Sequence, residues 1–273
     1  MVYVTLTTIP SRLHSDDPLN IRSCIDSLAN QDYSDYEIHF NIPHVYKKQN
    51  IEYNIPEWLE KTPRVKIFRT EDNGPVTKLL DTVNRIEDPE AIIIVVDDDL
   101  VYDPRMITEQ VNNQDKWPES AVGYDGLRSR DDEGGFSRHF DDTRDYYFTS
   151  NGRSSKVDIL QHYKTVSYKK RFFEEDFNQF INDNYSWSDD LLIASYFAYK
   201  KRDRIATFHV DDEIYTSFEE WQKKGGVTTF PVLSHTHHEG DEGCNINRQS
   251  GDSDNGPNLF KFIDRGYVRN IEK

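Results

Sequence analysis

Two hydrophobic periods alternate along the first third of the chain. Val2 to Thr7 is apolar and β-branched, which predicts a first strand. Pro18 to Asn30 places Leu19, Ile21, Ile25 and Leu28 close to a helical stripe. Tyr36 to Ile42 alternates as a second strand, and Val65 to Phe68 reads as a short third. Val76 to Ile86 returns to helical spacing. Ala91 to Val96 (AIIIVV) is then an unbroken apolar run, the pattern of a central strand covered on both faces in a parallel sheet. Strands alternating with helices predict βαβ units and an α/β fold.

The pattern is weaker past Pro104. A helix is expected over Arg105 to Gln114 and a strand over Ala121 to Tyr124. Residues 125–156 are rich in Gly, Asp, Arg and Ser and are expected to form loops. Phe172 to Asn182 and Asp189 to Lys201 are helix candidates, the second apolar nearly all round and therefore buried. Residues 239–257 are polar and Gly-rich, a loop expected to be mobile. No internal repeat or linker interrupts the 273 residues, so a single domain is expected.

Composition narrows the partners. Only 36% of residues are hydrophobic, but 16 Tyr, 15 Phe and 4 Trp bring large buried areas. The formal net charge of −16 repels polyphosphate, which argues against a nucleic-acid partner. An anionic small substrate would need local cations or a metal. Cys24 and Cys244 do not form a disulfide framework, and a reducing compartment is the simpler reading. Neither a signal core nor an apolar stretch of spanning length is expected, which points to a protein without a transmembrane segment.

Asp97, Asp98 and Asp99 follow the AIIIVV run directly. Ligands of open parallel sheets bind beyond the carboxyl ends of the strands. Three adjacent carboxylates there favour a divalent cation, which could bridge to a diphosphate and neutralise it as it leaves. The alternative is a solvated acidic turn. Ser188-Asp189-Asp190 opens the apolar helix. Ser188 suits an N-cap and the acids suit the helix dipole, while a carboxylate facing a cleft at this point would suit a general base. His235-Thr236-His237-His238 offers imidazoles on alternate residues, either as metal ligands or as polar surface. Two weaker segments are Thr7-Thr8-Ile9-Pro10-Ser11-Arg12, where Arg12 could pair with a diphosphate, and Asp72-Asn73-Gly74-Pro75-Val76-Thr77-Lys78, which turns into a helix. Both also read as ordinary turn chemistry. No P-loop, dinucleotide fingerprint or serine-hydrolase elbow is present.

Taken in order, VTLTTIPSR, DNGPVTKLL, IIIVVDDDLVYDP and SDDLLIA make the chain resemble glycosyltransferases of the GT-A fold, similar to those of bacterial polysaccharide clusters and of large DNA viruses. The resemblance runs over roughly residues 2–200. It implies a Rossmann-like, mixed, mostly parallel sheet flanked by helices, with a loop-rich C-terminal part. Residues 1–115 would form the nucleotide-binding half and residues 116–273 the acceptor-binding half. The acidic triplet would be the DXD motif: Asp99 and Asp97 would bind Mn²⁺ or Mg²⁺, with Asp97 and Asp98 contacting the donor. His235 or His237 would complete the metal shell. Thr7, Thr8, Pro10, Arg12, Asp72 and Lys78 would line the nucleotide pocket, and Asn151-Gly152-Arg153 the donor-sugar pocket. Asp190, or Asp189 in its place, would deprotonate the acceptor in an inverting displacement. The implied activity is hexosyl or deoxyhexosyl transfer from a nucleotide diphosphate sugar, expected to be UDP-linked, to a glycan or glycoprotein hydroxyl. The expected location is cytoplasmic, the host cytoplasm for a viral protein. The competing classes are a metal-dependent phosphohydrolase or nucleotidyltransferase using the same acids, and a non-catalytic glycan-binding protein.

Overall fold

A computed structural model describes residues 1–14, 21–129, 136–138, 147–149, 152–184 and 188–207. In chain order the elements are β1 (Val2–Leu6), α1 (Pro10–Leu13), α2 (Ile21–Ala29), β2 (Tyr36–Pro43), β3 (Val45–Tyr46), β4 (Ile51–Glu52), α3 (Glu57–Glu60), β5 (Val65–Thr70), α4 (Thr77–Arg85), β6 (Ile92–Val95), α5 (Met106–Lys116), β7 (Ala121–Gly123), β8 (Gly126–Ser129), β9 (Phe136–Arg138), β10 (Tyr147–Thr149), β11 (Gly152–Lys156), β12 (Ile159–Leu160), β13 (Val166–Lys169), α6 (Phe177–Asp183), α7 (Asp189–Tyr199) and β14 (Arg204–Thr207). Short 3₁₀ turns occupy Gly74–Val76, His162–Lys164 and Lys170–Phe172.

The main sheet runs β10-β11-β14-β7-β13-β6-β1-β2-β5. Strands β6, β1, β2 and β5 pair in parallel, as do β7 and β14. Strand β13 is antiparallel to both β6 and β7, and β11 is antiparallel to both β14 and β10. All described strands of this sheet except β13 and β11 therefore point the same way. This is the mixed, mostly parallel α/β sheet that the sequence predicts.

The AIIIVV run becomes β6, and its alternation divides two cores. Ile92, Ile94 and Val96 pack with Val4, Leu6, Phe40 and α2 on one face. Ile93 and Val95 pack with α4, α6 and α7 on the other. Every position along the strand is buried, and no polar residue interrupts it. Helix α7 meets the same expectation, with every residue from Leu191 to Phe197 buried. Helix α2 is described from Ile21 on, and Pro18 to Asn20 lie outside the described residues; α6 starts later than its pattern suggests, at Phe177 rather than Phe172. A 3₁₀ turn precedes the second of these.

Two expectations are corrected. Residues 125–156 are not wholly loops: β8, β9, β10 and β11 lie there. Strand β11 pairs with the distant β14 and β8 with the distant β12, while β9 and β10 pair locally with β8 and β11, so composition alone does not reveal this small sheet and sheet edge. The segment after β1 contains a short helix, α1, with Pro10 in its first turn, where the missing N–H costs nothing.

Candidate active site

The loops following β1, β2, β5 and β6 surround a cleft of about 330 Å³, closed on its far side by the start of α7. The cleft thus sits at the carboxyl ends of the parallel strands, where this topology leaves a crevice.

The acidic triplet does not act as a unit. Asp98 turns inward, where its Oδ2 accepts the Thr8 hydroxyl at 2.5 Å and its Oδ1 pairs with the Arg12 guanidinium. Arg12 also reaches Asp99 at 3.3 Å. Asp97 faces the cleft with its side chain 30% exposed, and its Oδ1 lies 2.6 Å from Lys78 Nζ. The turn is clamped by the buried Tyr102, whose hydroxyl accepts the Asp97 N–H and donates to the Asp97 carbonyl, both at 3.0 Å. Sequence reasoning assigned the triplet's repulsion to a divalent cation. In the structure, Arg12 and Lys78 already offset much of it.

A buried polar network aims Lys78. The Lys78 carbonyl accepts the Thr5 hydroxyl and, at 3.1 Å, the Asn41 amide. The same Thr5 and Asn41 groups bond Thr82 one turn further along α4, at 2.7 and 3.0 Å. Strands β1 and β2 therefore hold α4 by its backbone. The Lys78 side chain crosses the cleft floor, with Nζ 2.6 Å from Asp97 and 2.7 Å from Asp189. Burial lowers the proton affinity of this ammonium, but Asp189 and Asp97 outweigh it and raise its pKa.

Asp189 and Asp190 open α7. Ser188 is the N-cap, its hydroxyl accepting the Leu191 N–H at 3.3 Å. Sequence reasoning missed the residue that gathers the two acids. His162 Nδ1 lies 2.8 Å from Asp189 Oδ2 and 2.8 Å from Asp190 Oδ1. The His162 backbone N–H donates to Asp190 Oδ1 at 2.9 Å. Its Nε2 lies 2.8 Å from the Tyr168 hydroxyl on β13. Burial pushes the imidazole down, but its bonds to Asp189 and Asp190 raise it to about 9, so it is protonated at neutral pH. Burial pushes the Asp189 carboxyl up, but Lys78 and His162 hold it well below the usual carboxylate range. Burial and the charge of Asp189 raise Asp190. His162, Asp189 and Asp190 offer ligand atoms within 4.8 Å of one another, a grouping that could hold a metal ion.

Of the remaining candidates, Thr7, Thr8, Arg12 and Asp72 line the same cleft, whereas Pro10 does not. Thr7 donates to the Asn41 carbonyl at 2.7 Å. The two carboxylate oxygens of Asp72 each accept a backbone N–H at 2.8 Å, from Lys47 and from Gly74. Tyr53, which no motif of the sequence singles out, donates to the Thr8 carbonyl at 2.8 Å and fixes the loop after β1. His235, His237 and the segment 239–257 lie outside the described residues, as does Asn151, whereas Gly152 and Arg153 fall in β11. Among the described residues, no helix is long and apolar enough to cross a membrane.

No curated protein matches the sequence significantly. Several solved structures resemble it at a distance. S. aureus TarS 1–349 in complex with UDP-GlcNAc is 14% identical, with a TM-score of 0.47 over 98% of this chain and 81% of that one. S. aureus TarS 1–349 alone is 15% identical, with a TM-score of 0.47 over 78% of this chain. In that match the chain spans only 59% of TarS 1–349. The 4-diphosphocytidyl-2C-methyl-D-erythritolsynthase of Anaerococcus prevotii DSM 20548 is 14% identical, with a TM-score of 0.46 over 82% of this chain and 94% of that one. The sequence itself matches the family described as glycosyl transferase family 2 over residues 14–202, more than half its length. With this match and the sheet described above, the chain belongs to glycosyl transferase family 2 and carries a GT-A fold.

Proposed function

We propose that the chain transfers a hexosyl or deoxyhexosyl group from a nucleotide diphosphate sugar to a glycan or glycoprotein hydroxyl by a single inverting displacement. One observation carries this reading. Lys78 stands between an acid at the donor end of the sheet and an acid pair at the head of α7, within 2.7 Å of both Asp97 and Asp189. Residues 1–115 would hold the donor and residues 116–273 the acceptor, with Asp190 reaching from the second half into the shared cleft.

The donor's diphosphate lies toward Lys78, and Asp97 and Asp98 stand on the donor side. Thr7, Thr8 and Asp72 border the nucleotide. Arg12 braces that wall through Asp98 and Asp99. Asp190 takes the proton from the acceptor hydroxyl while the acceptor oxygen bonds to the anomeric carbon. The bond from that carbon to the diphosphate breaks, and its electron pair leaves with the diphosphate. Burial and the charge of Asp189 raise the Asp190 pKa, which favours proton uptake.

The fit of a divalent cation is judged from the oxygens that remain. Both Asp98 oxygens are engaged. Asp97 Oδ2 has no partner among the described residues and belongs to a side chain open to the cleft. Asp97 and Asp99 are hard oxygen donors suited to Mn²⁺ or Mg²⁺, with His235 or His237 as the imidazole ligand. Such an ion would neutralise charge on the departing diphosphate. The His162–Asp189–Asp190 group suits an ion less well, because Lys78 and the imidazole proton already occupy its donor atoms.

Calorimetry with UDP-, GDP- and dTDP-sugars, with and without Mn²⁺, tests the reading. The expected result is metal-strengthened binding of one donor class and release of its nucleoside diphosphate on turnover. Binding of none of them, or release of inorganic phosphate instead, would overturn it.

A further inference from the structure

We infer that His162 is a positioning residue for transfer: it holds one oxygen of Asp190 from behind and so turns the other toward the acceptor. The inference rests on the reading of Asp190 as the base.

Consecutive residues in the first turn of a helix point about 100° apart. Asp189 and Asp190 would not converge on one partner by helix geometry alone. His162 draws them together from outside the helix, with Nδ1 2.8 Å from an oxygen of each. Asp190 Oδ1 receives a second donor, the His162 backbone N–H at 2.9 Å. Two donors on one oxygen fix the carboxylate's rotation as well as its place. Asp190 Oδ2 has no partner among the described residues, and Asp190 lines the cleft.

His162 is itself immobilised. Its side chain is 1% exposed, and Nε2 lies 2.8 Å from the Tyr168 hydroxyl. The Tyr168 ring packs against Phe173 and Phe197, with centroids 5.3 and 5.1 Å away. His162 does not line the cleft, so it touches neither donor nor acceptor and acts through Asp190. A base held to a single orientation is worth far more than one free to rotate, because proton transfer needs near-ideal hydrogen-bond geometry.

The test is a double-mutant cycle in the full chain, with His162→Asn, Asp190→Asn and the pair. His162→Asn keeps an N–H donor near the place of Nδ1, whereas His162→Leu removes it. The probe is nucleoside diphosphate release from whichever of the UDP-, GDP- or dTDP-sugars the wild type consumes with Mn²⁺. His162→Leu is expected to lower kcat about 10- to 100-fold, and His162→Asn less, with donor KM and calorimetric Kd within about twofold of wild type. On the Asp190→Asn background, neither His162 change should cost anything further. A kcat unchanged in His162→Leu, or losses that multiply in the double variant, would overturn the inference. Full turnover by Asp190→Asn would instead remove the reading beneath it. Should His162→Leu fail to fold, the His162→Asn cycle still decides. Crystal structures supply a readout independent of turnover: Asp190 is expected to change rotamer when the Nδ1 donor is lost, and an unmoved Asp190 counts against the proposal.

Discussion

On the β6 wall of the cleft, Asp98 is engaged by Thr8 and Arg12, while its neighbour Asp97 meets Lys78 with one oxygen of a partly exposed carboxylate. On the α7 wall, Asp189 is held by Lys78 and His162, while Asp190 keeps an oxygen toward the cleft. On each wall one of two adjacent aspartates thus keeps a carboxylate oxygen that has no partner among the described residues. The walls differ in origin. The first is built from a contiguous motif at the end of a parallel strand. The second joins a helix entry to a histidine 28 residues earlier in the chain. Lys78 is the contact common to both. The comparison indicates that acids set beside each other in sequence acquire separate surroundings once different partners engage them.

The strongest break of this comparison is Asp190→Asn. The variant keeps the shape and the His162 contacts but loses the proposed base. Turnover is expected to fall on the order of 10³-fold, with donor affinity by calorimetry nearly unchanged. Comparable loss of donor binding would place Asp190 on the donor side and erase the division between the walls.

Asp98→Ala and Asp97→Ala sharpen the first wall. Removing Asp98 takes from the buried Arg12 its nearer carboxylate partner, and urea unfolding should show a loss of about 3–4 kcal/mol. Asp97→Ala removes a partly exposed acid and should cost under about 1 kcal/mol, yet abolish the Mn²⁺-dependent part of donor binding. Equal stability losses would mean that the triplet acts as one unit after all.

How much of this was legible in the sequence depends on the range of each contact. The β6 strand and the burial of α7 follow from local patterns of apolar residues, and both elements occur where AIIIVV and LLIASYF place them. The position of Asp97–Asp99 follows from the strand before it. The split within the triplet does not, because it depends on Arg12, 86 positions away from Asp98. Arg12 in a loop reads as a ligand for anions, and only the fold reveals that carboxylates already engage it. His162 carries no local signal at all: it stands alone in a short turn between β12 and β13, and its partners come from another element. Strands β8 and β11 escape detection for a related reason, since each also pairs with a distant segment, β12 and β14.

The pH dependence of stability probes the second wall. His162 is raised from 6.5 to about 9, so the folded state binds its proton more tightly than the unfolded chain does. The stabilisation is therefore fully present below pH 6.5 and fades as pH rises through about 9. At about 1.4 kcal/mol per pH unit, it is worth about 3 kcal/mol for this buried group. Urea unfolding of wild type and His162→Asn at pH 6 and pH 10 should show a gap that narrows by that amount at the higher pH. A gap independent of pH would mean that the imidazole is neutral in the folded protein and that Lys78 alone balances Asp189.

The smallest expected effect lies at the entry to α4, where the two walls share their lysine. Gly74 has φ 64°, a left-handed conformation that costs a residue bearing a Cβ about 1 kcal/mol. The turn around it is held by Asp72 Oδ1, which accepts the Gly74 N–H, and by Thr77 Oγ1, which accepts the Asn73 N–H. Lys78 is only four residues on, so strain at Gly74 has a short path to the bridge. A separate set of bonds resists it: Thr5 and Asn41 grip the Lys78 carbonyl and Thr82 from strands β1 and β2. Gly74→Ala should therefore lower stability by about 1 kcal/mol and leave kcat within about twofold. If kcat falls tenfold for the same loss of stability, the glycine turn rather than the strand network aims Lys78. The bridge between the walls would then be set by a loop, and the two walls could not be treated as independently built.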